Sequence, residues 1–267
     1  MKIWAVSNQK GGVGKTTTVV TFGGILASRG YRTLLIDLDP HGSLTSYFRM
    51  NPDRIDFSVY NLFQDAMARK KPLPEPYIVS TGFEGLWVLP ASTAIATVER
   101  QGGAGGMGLV IANSLAAVRA QYDFVVIDSP PMLGVLMVNA LAACEHLFIP
   151  VLSEFLGLKG LERMLHTLDM IGKSRKAPLN YTIVPTLFDR RTRVSVQTLR
   201  IMRERYGDRV WDAVIPVDTQ VREASDAGIP LSHFMPRSRA AMAYTELLDH
   251  RLSQDRSRSA ESAFATA

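Results

Sequence analysis

The hydrophobic positions of this chain fall into two patterns that take turns. Continuous apolar runs of strand length, rich in β-branched residues, stand at Ile3–Ser7, Thr33–Ile36, Leu86–Leu89, Phe124–Ile127, Leu147–Val151 and Tyr181–Val184, with a shorter seventh run at Ala213–Ile215. Between them, apolar residues repeat at helical spacing over Lys15–Ser28, Gly108–Arg119, Leu158–Ile171, Val194–Arg205 and Ser238–Leu252. A strand with one wet face alternates apolar and polar residues, so continuous apolarity predicts strands covered on both sides. Strands of that kind alternating with helices predict an α/β fold: a doubly wound, mostly parallel sheet with helices on both faces, in one domain over residues 1–252.

Two segments stand outside the pattern. "RKKPLPEP" at 69–76 is broken by prolines and reads as a surface loop. Residues 253–267 are small, polar and unpatterned, and are expected to form a disordered tail.

Composition narrows the picture. With 46% hydrophobic residues in 267, the chain can bury a substantial core. No basic-plus-apolar leader precedes the first strand-like run, and no uncharged apolar run approaches the ~20 residues of a membrane span, so a cytoplasmic protein is expected. Cys144 is the only cysteine, which excludes an internal disulfide and a thiolate-held metal or iron–sulfur site within one chain. The net charge of +5 is modest but uneven: Arg190, Arg191, Arg193, Arg200, Arg203 and Arg205 face only Asp189 and Glu204 over that stretch.

The chemistry starts after the first strand-like run, at "QKGGVGKTT", residues 9–17. A strand, a glycine-rich turn and a helix in that order make a phosphate-binding loop: Gly11, Gly12, Val13 and Gly14 offer backbone N–H groups that converge on phosphate oxygens, and the helix start adds its positive dipole end. Lys15 would reach the β- and γ-phosphates, Thr16 would give its hydroxyl to Mg²⁺, and Thr17 is a further cofactor-binding candidate. The plainer alternative is a strand-to-helix turn that merely uses glycine. A second cluster, "GAGGMG" at 103–108, fits the dinucleotide pattern G-x-G-x-x-G with Asp128 downstream, but a helix-like segment precedes it where a strand is required, so it reads as a loop.

Two further runs end in acids. In "LLIDLDP", Asp37 and Asp39 stand two residues apart, which in extended chain puts both on one side near the C-terminal sheet edge. In "FVVIDSPP", Asp128 ends a strand, where a carboxylate can hold a Mg²⁺-bound water. Helix caps and turn acids are the competing explanations for each alone. Lys10 is the odd residue: Lys15 already serves the loop's interior, so the Lys10 side chain is expected to be free to point elsewhere.

"KGGVGKT" resembles the deviant Walker A motif of the ParA/MinD family of P-loop ATPases, and the likeness runs along nearly the whole chain, through "DLDPHGS", "VVIDSPP", "NALAACEHLFIPV", "PTLFDRRTRVS" and "VIPVDTQVREASDAG". The resemblance implies ATP and Mg²⁺ as ligands, and slow, partner-stimulated ATP hydrolysis. It implies an ATP-dependent homodimer in which Lys10 reaches the partner's ATP. It makes Asp39 the residue that orients the attacking water, Asp128 a Mg²⁺ ligand through water, and Asp37 a group supporting that metal site. It also implies non-specific DNA binding, for which Arg190, Arg191, Arg193, Arg200, Arg203 and Arg222 are the candidates, against the alternative of a solvated helix face. Val217 and Gln220 stand where the family commonly carries basic residues.

The cargo reading is finer. "DLDPHGSLTSYF", with His41 and Ser43, is similar to the ParA-like proteins encoded with chemotaxis systems, often called ParC, which implies positioning of chemoreceptor arrays through an adaptor, with nucleoid-associated or polar localisation. His41 is assigned no chemistry. The alternatives are a plasmid or chromosome partition ATPase working with a ParB-type activator, and a metabolic P-loop enzyme such as an amide-forming ligase. The nitrogenase iron protein is excluded by its need for two ligand cysteines. Direct membrane binding is not expected, because the tail offers only Phe264 amid small polar residues.

Overall fold

The computed structural model describes residues 1–101, 107–172 and 178–265, with side chains through residue 257. Its centre is a seven-stranded sheet. The strands are β1 (Lys2–Val6), β2 (Thr33–Asp37), β3 (Val79–Ser80), β4 (Leu86–Leu89), β5 (Phe124–Asp128), β6 (His146–Leu152) and β7 (Asn180–Thr186), arranged β3-β4-β2-β5-β1-β6-β7. All pairs are parallel except β3 with β4. The six longer runs in the sequence all form strands. The two-residue β3 does not stand out in the sequence, because it is too short to carry a pattern.

The helices are α1 (Lys15–Ser28), α2 (Ser43–Tyr47), α3 (Val59–Met67), α4 (Ala96–Arg100), α5 (Val110–Leu115), α6 (Val135–Ala143), α7 (Phe155–Gly172), α8 (Arg193–Tyr206), α9 (Gln220–Ala227), α10 (Leu231–Phe234) and α11 (Arg239–Ala265). They cover both faces of the sheet, and the period-two geometry of the strands divides the core accordingly. Ala5, Ile36, Ile127 and Ile149 belong to one buried cluster with residues of α3, α5, α6 and α7. Trp4, Val6, Leu35, Val126 and Phe148 belong to the other, with α1, α10 and α11. Trp4, Phe22, Phe124 and Phe148 meet edge-on or tilted in that second layer, with ring centroids 4.9–6.3 Å apart.

Three expectations need correction. Ala213–Ile215 forms no strand: the chain makes isolated bridges to β7 and to the segment just after it, Val210 with Ile183 and Pro216 with Phe188, and bends at Asp212 and Ala213 interrupt the ladder between them. The helix expected over 108–119 is α over 110–115 only, with a 3₁₀ turn before it. The last helix does not stop at Leu252. It continues to Ala265 through the segment read as a tail, and its first extra turn is fastened by the buried Arg251 pairing with Asp255, whose carboxylate also meets Lys2 Nζ at 2.6 Å. The residues 102–106 that hold most of the second glycine cluster lie outside the described residues. Among the described residues, no helix is long and apolar enough to cross a membrane.

The strand order fixes where a ligand can sit. From β1 the chain moves to β2 on one side, and from β5 it moves to β6 on the other, so the direction of winding reverses between β1 and β5. Loops leaving neighbouring strands there diverge and open a crevice at their C-terminal ends.

Candidate functional site

The loop after β1 occupies that crevice. Gly12 (φ 72°) and Gly14 (φ 90°) are left-handed, which a side chain would resist, and Gly14 is the N-cap residue of α1. The turn is anchored from several elements. Thr186 at the end of β7 donates to the Val13 carbonyl (2.9 Å), Asn8 holds the Pro150 carbonyl of β6 (2.7 Å), and Gln9 donates to Thr167 of α7 (2.6 Å). Beneath the loop, Thr18 donates to the Gly14 carbonyl (2.8 Å) and meets the buried Tyr244 hydroxyl of α11 (3.1 Å).

A cleft of about 510 Å³ opens over this turn. Gly11, Gly12, Gly14, Lys15, Thr16 and Thr17 line it, as expected; Val13 does not, its side chain being buried in the interior. Asp39 lines the cleft as well. The sequence reading missed Tyr47, Pro131, Leu187 and Ser225, which complete the wall from α2, the β5–α6 loop, the end of β7 and α9. Nothing in local spacing marks them, since each comes from a different part of the chain. Leu187 carries one conspicuous trait, a left-handed backbone (φ 49°) that a branched residue adopts at a cost.

Lys15 is buried at the cleft floor, its Nζ 3.2 Å from the Lys10 carbonyl. Burial lowers its pKa, and the Asp128 and Asp39 carboxylates oppose that shift. Thr16 Oγ1 donates to Asp128 Oδ2 at 2.6 Å. Asp128 Oδ1 is buried and has no hydrogen-bond partner among the described residues, an orphaned acceptor of the kind that a metal-bound water satisfies. Burial, then the neighbouring Asp37 charge, push the Asp128 pKa well up. Asp37 stands opposite Asp128 in the β2–β5 register, and burial pushes its carboxyl up to about 6. Two buried carboxylates on adjoining strands with one oxygen unpartnered suit a divalent cation, so this chain's residues fit Mg²⁺.

Asp37 and Asp39 do not share a direction, contrary to the expectation from alternation. The strand ends at Asp37, whose buried carboxylate accepts from the Asp39 N–H (3.1 Å), the Thr45 N–H (2.8 Å) and the Thr45 hydroxyl (2.7 Å). Asp37 thereby fastens the start of α2 to the sheet. Asp39, released from the strand, turns to the cleft, and its Oδ1 accepts from the His41 N–H (3.0 Å) and contacts His41 Nδ1 (2.8 Å).

Lys10 is not free. Its Nζ is ion-paired with Glu154 at the start of α7, and its chain lies against Gly160, where an added Cβ would meet Lys10 Cβ at 3.2 Å. It does not line its own chain's cleft.

The arginines divide into groups. Arg190, Arg191 and Arg193 follow the cleft residue Leu187, and Arg222 is on α9 with the cleft residue Ser225; the two segments adjoin, since Val217 N–H donates to the Phe188 carbonyl (3.1 Å). Arg191 holds Asp189 through two side-chain contacts (3.0 and 2.8 Å), which lowers the Asp189 carboxyl to about 2. Arg239, absent from the sequence reading, binds the Val217 carbonyl (3.0 Å) and acts on the same Asp189. Arg200 and Arg203 are engaged separately, with Glu204 (2.6 Å) and with the Asp212 carbonyl.

Comparison with known proteins agrees with this geometry. A family model described as "AAA domain" matches residues 1–181. The chromosome partitioning protein ParA of Caulobacter vibrioides is 35% identical over 267 residues, covering 98% of both chains. The sporulation initiation inhibitor protein Soj of Bacillus subtilis is 35% identical over 255 residues, covering 92% of this chain and 96% of Soj. Among solved structures, cobyrinic acid a,c-diamide synthase of Mycobacterium smegmatis, with bound ATP analogue and magnesium, superposes with a TM-score of 0.82 at 32% identity over 96% of both chains. With its family model spanning more than half the chain and relatives matched nearly end to end, the protein belongs to this family of P-loop proteins, among the ParA/Soj partitioning ATPases.

Proposed function

We propose that the chain is an ATP-dependent dimerising switch that positions or segregates intracellular cargo. The observation that carries this is Lys10: a lysine at the mouth of the phosphate loop that stays out of its own cleft and is held at the surface by Glu154. Its surroundings suit a protein partner. The loop after β5 and the start of α7 flank β1 and its loop, and they expose Met132 (73%), Leu133, Phe155 (65%) and Leu156. Large apolar side chains left in water beside a charged group mark a contact surface. A second copy seated there would bring each Lys10 to the other's triphosphate.

In that dimer, Lys15 and the loop amides bind the β- and γ-phosphates. Thr16 directly, and Asp128 through water, would hold Mg²⁺, which when bound supplies charge neutralisation at those phosphates. Asp39 orients the attacking water, the bond between the γ-phosphorus and its bridging oxygen breaks, and Lys10 and Lys15 stabilise the charge that develops. Hydrolysis removes the phosphate that Lys10 grips, so the dimer loosens and the switch resets.

The basic surface ties this switch to DNA. Leu187 and Ser225 line the nucleotide cleft, and Arg190, Arg191, Arg193 and Arg222 lie within a few residues of them. Nucleotide state can therefore bias a non-specific phosphate-binding surface, with the nucleoid as track. Chemoreceptor arrays reached through an adaptor are the cargo favoured by the "DLDPHGSLTSYF" and "IPVDTQVREAS" variants; a ParB-type activator and a plasmid or chromosome are the alternative, favoured by the partitioning relatives. Fluorescent protein imaged beside labelled chemoreceptors and nucleoid decides between them. Foci that follow the receptors support the first, and foci that follow a centromere-binding protein support the second.

A second reading has one observation in its favour, the likeness to cobyrinic acid a,c-diamide synthase. An amide-forming ligase transfers the γ-phosphoryl group to a substrate carboxylate rather than to water. Phosphate release that requires an added small carboxylic acid would favour it.

A further inference from the structure

We infer that His41 is a positioning residue for hydrolysis, acting through Asp39; this rests on the proposal above that Asp39 orients the attacking water. Asp39 is nearly buried, and one of its two oxygens is fully committed: Oδ1 accepts the His41 backbone N–H at 3.0 Å and lies 2.8 Å from His41 Nδ1. A carboxylate has no proton to offer, so Nδ1 is the donor, which fixes the ring's tautomer. Oδ2 makes no hydrogen bond to the described residues and is the oxygen left for a water in the cleft that both side chains line.

The backbone N–H would be present whatever residue stood at 41. Alone it leaves the carboxylate able to rotate about its last bond, which exchanges the two oxygens and swings the acceptor away from the water. The Nδ1–H adds a second donor to the same oxygen and sets the plane of the group. A charge-assisted hydrogen bond of this kind is among the stronger ones a surface can provide. The His41 side chain is 80% exposed, and both His41 and Asp39 also line a neighbouring groove of about 500 Å³, together with Ala96, Glu99, Arg100 and Met132.

The test compares wild type, His41→Ala, His41→Asn and Asp39→Ala for ATP affinity and for single-turnover hydrolysis with Mg²⁺. Asparagine places an amide N–H where Nδ1 stands, whereas alanine leaves only the backbone donor. His41→Ala is expected to slow the chemical step about tenfold with ATP affinity unchanged, and His41→Asn to recover most of the rate. A loss confined to ATP affinity, or no recovery with asparagine, overturns the inference, as does a wild-type rate for His41→Ala while Asp39→Ala is inactive. Wild-type hydrolysis by Asp39→Ala instead overturns the role of Asp39 and this inference with it.

Discussion

The Lys10 amine and the Glu154 carboxylate of the same chain form an ion pair at the mouth of the phosphate loop. In the proposed dimer Lys10 must let go of Glu154 to reach the partner's nucleotide, so the pair would oppose dimerisation. Because both groups are partly exposed, the opposition is small, at most about 1 kcal/mol after solvent screening. A symmetric dimer opens two such pairs, so Glu154→Ala is expected to tighten ATP-dependent dimerisation by up to about thirtyfold, measured by the protein concentration at half-dimer. Weakened dimerisation would instead mean that Glu154 is part of the interface.

Asp39→Ala should bind ATP normally and hydrolyse it at least about a hundredfold more slowly, because the water loses its acceptor while Lys15 and the loop amides are untouched. Rapid-quench assays read the rate, and fluorescent nucleotide titration reads the affinity. Lys15→Ala should show the converse, with ATP binding lost before chemistry is reached.

Asp37 links the site to stability. Burial raises its folded-state pKa from 3.8 to about 6, so the folded protein holds that proton more tightly than the unfolded chain does. Its contribution is therefore fully present below about pH 4 and is lost as pH rises through about 6. In urea titrations without nucleotide, wild type should lose stability relative to Asp37→Asn across that window. A constant difference between the two would contradict the assignment.

On the basic surface, Arg191 must trade Asp189 for a phosphate, whereas Arg200 and Arg203 are engaged away from it. Arg191→Glu should weaken DNA binding by the ATP-loaded protein about tenfold at low salt and lower the slope of log K against log salt by about one. Arg200→Glu should do less. Equal effects would return the arginines to the role of a solvated helix face.

Much of this was legible in the chain because the relevant signals are local. Continuous apolar runs announce strands covered twice, and the Gly11–Thr17 turn with Asp128 at a strand end announces a phosphate site before any contact is known. The parts that escaped are those fixed by residues far apart in sequence. Lys10 looked unengaged because Glu154 is 144 positions away. Leu187 and Ser225 could not be placed in the cleft without the sheet order. Asp37 and Asp39 looked alike because alternation holds only while the strand lasts, and it ends at Asp37. The last helix looked finished at Leu252 because the turn beyond it is held by ionic pairs rather than by an apolar stripe.

Whether Lys10 serves a neighbouring chain's nucleotide is read by sedimentation of Asp39→Ala with Mg²⁺ and ATP. A lysine acting in trans gives a dimer with ATP, a monomer with ADP, and a monomer with ATP once Lys10→Ala is added although ATP still binds. A protein that stays monomeric when saturated with ATP, or a dimer indifferent to Lys10, would contradict it.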